Sequence, residues 1–231
     1  QEGIEAEMLQ EIGRHGHVIC ATAQNLNIDV IVMGSRGRSG LSELVLGSVS
    51  NYVMHHAACS VEIIKSSICE ETIMYNRILV AIDLFDLSSV VFKEALKLAK
   101  MSGGRLILLH VLSRDEAGYP SVQPLGVDEA YYERWRAFVQ EGLQHLKGFA
   151  DQAEQEGIEA EMLQEIGRPG HVICATAQNL NVDVIVMGSR GRSGLSELVL
   201  GSQSNYVTHH APCSVLIHRL PDGKTAPEKE A

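Results

Sequence analysis

Residues 34–48 read GSRGRSGLSELVLGS, and residues 188–202 repeat these letters without a change. In both places the apolar run VIVM precedes the first glycine, and a polar segment that suits a helix follows the closing Gly-Ser pair. Glycine lets a backbone turn tightly and approach a ligand closely. The stretch therefore predicts a loop that joins a buried strand to a helix, and the chain carries this unit twice.

The repeated loop lies inside a longer duplication. Residues 1–61 match residues 155–215 at a constant offset of 154. The differences are His15 against Pro169, Ile28 against Val182, Val49 against Gln203, Met54 against Thr208 and Ala58 against Pro212. A period of this length exceeds the roughly 20 to 50 residues of solenoid repeats. The duplication therefore predicts two copies of one domain.

Residues 74–220 alternate between apolar runs and amphipathic segments. Apolar runs at 76–83, 105–112, 182–188 and 213–219, with an alternating run at 158–166, are separated by segments of helical character. This order predicts βαβ units and a parallel sheet with helices on both faces. We expect a complete α/β domain at 74–220, a linker at 67–73 and a disordered tail at 221–231. Residues 1–66 are predicted to hold only the later part of a second domain, as strand, helix, strand, loop, helix and strand.

Composition limits the classes of partner. The formal charge of −10 argues against a nucleic-acid partner, whose affinity depends on Lys and Arg. No apolar run reaches the about 18 residues of a membrane span, and the first residues are acidic rather than signal-like. The five cysteines form no CxxC motif. We therefore expect a cytoplasmic protein with thiols that serve as small buried side chains; a disulfide or a metal site is the less favoured alternative.

The glycine loop suits an anion. A helix start presents unpaired N–H groups and the positive end of a dipole, both of which favour phosphate. Hydroxyls at Ser202 and Ser204 and charges at Arg190 and Arg192 add potential donors. A glycine-rich surface turn with helix caps explains the same letters, and the local chemistry alone leaves both interpretations open.

The spacing Gly188-x2-Gly191-x9-Gly201-Ser resembles the nucleotide-binding signature of the universal stress protein family. The resemblance extends over 74–220 and includes MYNRILVAID, LLHVL, VDVIVMGSRGRSG and APCSVLI. It implies an open, Rossmann-like sheet of five parallel strands in the order 3-2-1-4-5, with helices on both faces. It also implies an adenine nucleotide, ATP alone or with magnesium, bound by a regulator of the stress response.

Carried onto this chain, the resemblance places Asp83 near the adenine and ribose. The other expected contacts are Ala81 and Ile82 at the adenine, Val111 through its backbone, Met187 and Gly188 at the ribose, and Arg190, Gly191, Gly201, Ser202, Gln203 and Ser204 at the phosphates. Gln203 departs from the usual apolar residue, but the backbone N–H is the expected contact there. Asp83 has a second interpretation, as a cap of the turn that follows its strand.

The first repeat retains counterparts of the residues that are expected at the phosphates. Its candidate residues are Gly34, Arg36, Gly37, Gly47, Ser48 and Ser50. The sequence offers no strand before them that would supply an aspartate like Asp83. If the strand is missing from the protein, we expect weak nucleotide binding, or none, in the first repeat. If it belongs to a segment that was cleaved off, a full tandem protein would have two sites.

The sequence motifs give little support for a catalytic function. The pattern GxxxxGK[ST] is absent, no acid pair suits two metals, and IDLFDLSS lacks the glycines of an SGGxDS loop. The pairs His55-His56 and His209-His210 suit helix ends better than zinc. A slow ATPase or adenylyl-transfer enzyme is the alternative function, and a nucleotide-free scaffold is a third.

The last strand of each repeat predicts association. CSVLIHR and its relative CSVEIIK would be exposed sheet edges, which favour pairing with another edge. The family resemblance implies an antiparallel dimer through this strand, either within one chain as a pseudo-dimer or between chains as a homo-oligomer. The two edges differ in sequence, with Glu62 against Leu216 and Ile64 against His218. This difference favours pairing within one chain. The first repeat, without a first strand, would expose its fourth strand, so we also expect higher-order association or strand donation.

Overall fold

A computed structural model describes residues 5–35, 46–65, 75–84, 87–114, 116, 118–120, 128–189 and 200–219. Its elements are α1 (His15–Asn25), β1 (Val30–Gly34), α2 (Ser48–His56), β2 (Ser60–Ile64), β3 (Arg77–Ile82), α3 (Leu87–Ser102), β4 (Arg105–Leu112), α4 (Glu129–Gln155), β5 (Ala160–Ile166), α5 (Pro169–Asn179), β6 (Val184–Gly188), α6 (Ser202–His210) and β7 (Ser214–His218). The expectations for Arg36, Gly37, Arg190, Gly191, the linker and the tail lie outside the described residues. Within the described residues, no helix is both long and apolar enough to cross a bilayer.

All strands belong to one sheet, in the order β1-β2-β7-β6-β3-β4-β5. Strands β3 to β7 follow the expected order 3-2-1-4-5, counted from β5 to β7, and pair in parallel. The sheet differs from the expected five strands because β1 and β2 of the first repeat extend it to seven. The α/β class is therefore as predicted, with one antiparallel junction between the repeats.

Two hydrophobic cores lie on opposite faces of the sheet. Alternate residues of a strand point to opposite faces, so Leu79 and Ile185 enter the core beneath α5 and α6. Ile78 and Val184 enter the core beneath α3 and α4. Strands β3, β4 and β6 are apolar along their length because both of their faces are covered.

Identical sequences adopt different structures in the two repeats. AEMLQEI forms β5 at 160–166, where it pairs with β4 over seven residues. The same letters at 6–12 form no strand, and Met8 and Ile12 are 95% and 100% exposed. The expected strand in this part of the first repeat is therefore wrong. A strand requires a neighbour for its backbone N–H and C=O groups, and the described residues provide none here.

The two repeats join through their last strands. Strand β2 pairs with β7 in antiparallel orientation, with Val61 opposite Ile217 and Ile63 opposite Val215. All four of these side chains are fully buried. The predicted pairing of the two edges within one chain is therefore present as an intramolecular pseudo-dimer.

A basic side chain after each of these strands crosses to the other repeat. Lys65 Nζ donates to the carbonyl of Ala211, 3.0 Å away, just after α6 ends. Arg219, which is buried, donates from Nη2 to the carbonyl of Met54 near the end of α2. Cations are favourable at the carbonyl end of a helix, where the dipole is negative. The pseudo-symmetric cations therefore link the helices of both repeats to the strand ladder.

We expect Arg219→Met to lower the free energy of unfolding by about 2 kcal/mol, because a charge-assisted hydrogen bond in a buried site is lost. Urea denaturation monitored by circular dichroism measures this change. Arg105→Met is the matched control. Arg105 forms an ion pair with Glu159 that is exposed on both sides, so its loss should cost at most about 0.5 kcal/mol. Equal effects of the two substitutions would contradict a buried role for Arg219.

Histidines near the junction should make stability depend on pH. Burial lowers the pKa of His209, and the nearby His210, Lys65 and His55 lower it further. A histidine with a lowered pKa in the folded state stabilises the fold only while it is neutral, so stability falls as the pH drops below about 6.5, the ordinary value.

We therefore expect the free energy of unfolding to decrease from pH 7.5 to pH 5.5, and His209→Gln to remove part of that decrease. Urea midpoints measured across this pH range test the expectation. His15→Gln, at an exposed position, serves as the control. A pH profile that is unchanged in His209→Gln would refute the assignment.

Candidate functional site

The candidate site lies at the carboxyl edge of the parallel strands. Strand β3 lies between β4 and β6, and the chain leaves β3 at Asp83. Helix α3 then packs on β3, β4 and β6, whereas α5 and α6 lie on the other face. Ligands of open α/β sheets bind at such an edge, where successive connections leave on opposite sides.

Helix α6 presents its first turn at this edge. Its first intrahelical hydrogen bond runs from Asn205 N to Gly201 O, 2.9 Å apart. The N–H groups of Ser202, Gln203 and Ser204 precede this bond, and no side chain among the described residues caps the helix. The Gly201 N–H is already used, because it donates to Ser189 O at 2.8 Å. Among the described residues, the three amides after Gly201 are therefore the N–H groups of this turn that an anion could use.

The Ser204 hydroxyl has a structural partner. Ser204 Oγ is buried and donates to the carbonyl of Gly188 at 2.8 Å, and Ser50 Oγ donates to Gly34 in the same way at 2.9 Å. A hydroxyl has one proton to donate. In this geometry both hydroxyls hold the helix against the end of the strand, so Ser204 offers a phosphate its backbone N–H rather than its side chain.

The Gln203 side chain points away from the expected phosphate position. Its Oε1 accepts a hydrogen bond from Gly170 N at 2.8 Å, in the first turn of α5. Val49 occupies the equivalent position in the first repeat and has no such acceptor. Gln203, the residue that departs from the family pattern, therefore caps the neighbouring helix α5. The proximity of Gln203 to α5 also brings it close to Pro169, another position at which the repeats differ.

Asp83 is oriented by Ser88, which sequence reasoning did not single out. Ser88 Oγ accepts from Asp83 N at 2.9 Å and donates to Asp83 Oδ1 at 2.6 Å. Ser88 is buried in the first turn of α3. These two bonds fix the carboxylate at the end of β3, and the capping and ligand interpretations of Asp83 both stay predictions. The sequence signal for this contact was a serine soon after the aspartate that ends the strand.

The apolar candidates divide between the two faces. Ala81, Val111 and Met187 pack with the core of α5 and α6. Ile82 is the next residue after Ala81 and packs with the core of α3 and α4. Because side chains alternate along a strand, Ile82 cannot line the same pocket as Ala81 with its side chain.

Gly188 has a packing reason to lack a side chain. A β-carbon there would lie 2.8 Å from Leu87 Cδ2, at the start of α3. A glycine at the end of β6 therefore allows α3 to approach the sheet. The first glycine of the signature serves the fold whether or not a ligand is bound.

A buried polar cluster that the sequence did not suggest lies beside β4. His110 Nε2 and Glu116 Oε1 are 2.7 Å apart, and both side chains are buried. Gln164 Nε2 lies 3.1 Å from His110 Nδ1 and donates to Val139 O, so it joins β4 and β5 to α4. Gly142 makes room for the cluster, since a β-carbon there would lie 2.4 Å from His110 Nδ1. These contacts hold Glu116 close to the end of β4, beside Val111.

The first repeat has half of this arrangement. Gly47 precedes α2 with a backbone conformation matching that of Gly201, and Gly47 N donates to Ser35 O as Gly201 N does to Ser189 O. Ser48 begins α2 as Ser202 begins α6. Strand β1, however, pairs only with β2 among the described strands, so no residue equivalent to Asp83 lies beside its end.

The family model for the Universal stress protein family matches residues 1–65 and 74–219. The chain belongs to the universal stress protein family. The two matched stretches are compatible with a tandem arrangement, and they correspond to the two repeats that share the sheet.

Similar universal stress proteins come from bacteria and an archaeon. Slr1101 of Synechocystis is 45% identical over 104 residues, which cover 45% of this chain and 96% of that protein. YxiE of Bacillus subtilis is 38% identical over 148 residues, covering 63% of this chain and 100% of YxiE. A universal stress protein of Archaeoglobus fulgidus matches in structure with a TM-score of 0.65 and 29% identity, covering 96% of this chain and 72% of that one.

We expect Gln203→Val to lower the free energy of unfolding by about 1 kcal/mol, because Gly170 N loses its capping acceptor. Gln203→Glu keeps an acceptor at the same reach and should retain most of the stability. Urea denaturation of both variants provides the measurement. Equal stability of Gln203→Val and the parent chain would show that the contact with Gly170 contributes nothing.

Proposed function

We propose that this universal stress protein binds ATP at the complete repeat and that bound ATP regulates its oligomeric state or its choice of partner. The observation that carries the proposal is the convergence of an oriented carboxylate and an uncapped helix start at one sheet edge. Asp83 follows β3, and the N–H groups of Ser202, Gln203 and Ser204 lie at the start of α6. The two groups differ in charge, as the two ends of a nucleotide require.

In this proposal, each end of the nucleotide has its own partner. The amides of α6 would bind phosphate oxygens, which a helix start favours through its N–H groups and dipole. The Asp83 carboxylate accepts hydrogen bonds and would take a ribose hydroxyl or an amino group of the base. Ala81, Val111 and Met187 supply the apolar lining on the face of α5 and α6.

Magnesium would be held mainly by the phosphates. Among the described residues, no group of three His, Cys, Asp or Glu side chains is placed to hold a metal ion. Magnesium commonly binds through substrate phosphates with few protein ligands and several waters. The proposal therefore applies to ATP alone or with magnesium, and assigns no metal-held nucleophile to this chain.

Helix α6 offers a route from the site to the junction of the repeats. It has nine residues and so is about 13 Å long. It begins at the proposed phosphate position, and the carbonyl of Ala211 just beyond its end accepts from Lys65 of the first repeat. A ligand that shifts or steadies the start of a short, rigid helix also affects the contacts at its end. This connection supports a regulatory role for the nucleotide.

We expect Ser202→Pro to weaken ATP binding about tenfold or more, because proline removes one phosphate-binding N–H while it suits the first helical position. Gly201 has φ −62° and ψ 152°, a conformation that a following proline allows. Isothermal titration with ATP measures the dissociation constant. Ser48→Pro is the matched control in the first repeat, where Gly47 has φ −63° and ψ 152°.

Asp83→Asn should weaken binding by a similar factor, since a charged acceptor becomes neutral, and Asp151→Asn on the surface of α4 should have no effect. Equal affinities of Ser202→Pro, Ser48→Pro and the parent chain would overturn the assignment. Rapid release of ADP during the titration would instead favour the slow ATPase. Analytical ultracentrifugation with and without ATP tests the regulatory part.

A further inference from the structure

Strand β5 forms one edge of the sheet, within the complete repeat. Among the described strands it pairs only with β4. The pairing is regular over seven residues, from Ala160 opposite Leu106 to Ile166 opposite Leu112, so no bulge interrupts it. Natural edge strands are commonly protected from further pairing by a bulge or a proline. Strand β5 contains neither, and its open edge is therefore suited to accept another strand.

Half of the backbone groups of β5 point away from β4. Glu159 O accepts a hydrogen bond from Leu106 N at 2.9 Å. Gly167 N donates to Leu112 O at 3.2 Å. The backbone groups of successive residues in a strand point to alternate sides in the plane of the sheet, so the odd-numbered residues from 159 to 167 pair with β4. The residues whose N–H and C=O groups point outward are Ala160, Met162, Gln164 and Ile166.

The side chains of β5 make its two faces chemically different. Met162 and Ile166 are 43% and 65% exposed, and they share the face of Ala160, which packs with the core beneath α3 and α4. Glu161 and Glu165 are exposed on the opposite face. Among the described residues, neither of these two carboxylates belongs to an ion pair. Both project from a face of the sheet, so they leave the outward backbone groups accessible.

We propose that the open edge of β5 docks an extended segment of a partner protein in which Lys or Arg alternates with apolar residues. The backbone of this segment would pair with the outward groups of β5 and add one strand to the sheet. Its basic side chains would lie on the face of Glu161 and Glu165, and its apolar side chains beside Met162 and Ile166. The formal charge of −10 adds long-range attraction for a basic partner.

A second copy of β5 fits this edge less well. In an antiparallel pair, residues that exchange hydrogen bonds lie directly opposite each other, so even-numbered residues would face even-numbered residues. The odd-numbered residues of the two copies would then face each other as well. Like charges directly opposite each other are destabilising, so a basic segment is the better partner. The odd-numbered residues of this stretch are Glu159, Glu161, Leu163 and Glu165.

The test uses the full chain without nucleotide and a fluorescently labelled peptide of alternating Val and Lys, as long as β5 and blocked at both ends. We expect saturable binding by fluorescence anisotropy at roughly physiological salt, where weak long-range attraction is screened. Amide exchange followed by nuclear magnetic resonance should slow by about tenfold or more at the outward N–H groups of β5. The N–H groups that already pair with β4 should change little.

A charge-matched pair of variants tests the acidic face. Glu161→Gln combined with Glu165→Gln should weaken binding by about tenfold or more. Glu133→Gln combined with Glu141→Gln removes the same charge from exposed positions of α4 and should leave the affinity nearly unchanged. Equal effects of the two double substitutions would overturn the proposal, because binding would then depend on net charge alone.

A second peptide separates strand addition from charge attraction. It has the same side chains but a methyl group on every backbone nitrogen, so it cannot donate hydrogen bonds to the outward carbonyls. We expect it to bind at least about tenfold more weakly. Equal binding of the two peptides, unchanged exchange at the outward N–H groups, or absence of binding would each overturn the proposal. Because nucleotide is omitted, failure here is independent of the proposed ATP site.

Discussion

The antiparallel ladder between β2 and β7 is the interaction on which the rest of the molecule depends. It places β2 and β7, which would otherwise be edge strands, in the interior of one sheet. The Val and Ile side chains that face each other across it are fully buried. The basic residues that follow these strands extend the junction to helices α2 and α6. Across this ladder, Val61 and Ile63 of the first repeat share one hydrophobic core with Val215 and Ile217 of the second.

Residues 6–12 and 30–34 of the first repeat show how far strand formation depends on a neighbouring strand. AEMLQEI is a strand where β4 lies beside it and irregular where no strand does, although the letters are identical. VIVMG is a strand in both repeats, because β1 has β2 on one side. One neighbour is thus sufficient to hold the backbone of β1 in the sheet, but it leaves the side chains on one face uncovered.

Sequence periodicity predicted the α/β class with a parallel sheet, and edge exposure favoured pairing of the last strands, whereas the order of the five strands and the antiparallel orientation were implied by the family resemblance. The sequence did not predict the hydrogen-bond partners of individual polar side chains. Nothing in the letters places Gln203 against Gly170, or Ser204 against Gly188, because those contacts depend on helix packing rather than on spacing. The strand at 6–12 was predicted wrongly because its local pattern suits a strand, but the described residues place no neighbouring strand beside it. The residues of the candidate site come from the motif and stay a prediction; the motif alone does not say that Ala81 and Ile82 place their side chains on opposite faces of the sheet.

The glycine signature therefore contains two kinds of constraint. Gly188 leaves room for the end of the Leu87 side chain of α3, a packing role that does not depend on a ligand. Within the part of the chain that the structure describes, the amides after Gly201 have no such structural use, because the first intrahelical bond begins only at Asn205 and no described side chain caps the turn. A helix end that lies among packed strands usually has its orphan N–H groups satisfied by a side chain, water or ligand. The argument for a nucleotide thus depends on the uncapped start of α6 together with Asp83, and not on the glycines that first draw attention to the sequence.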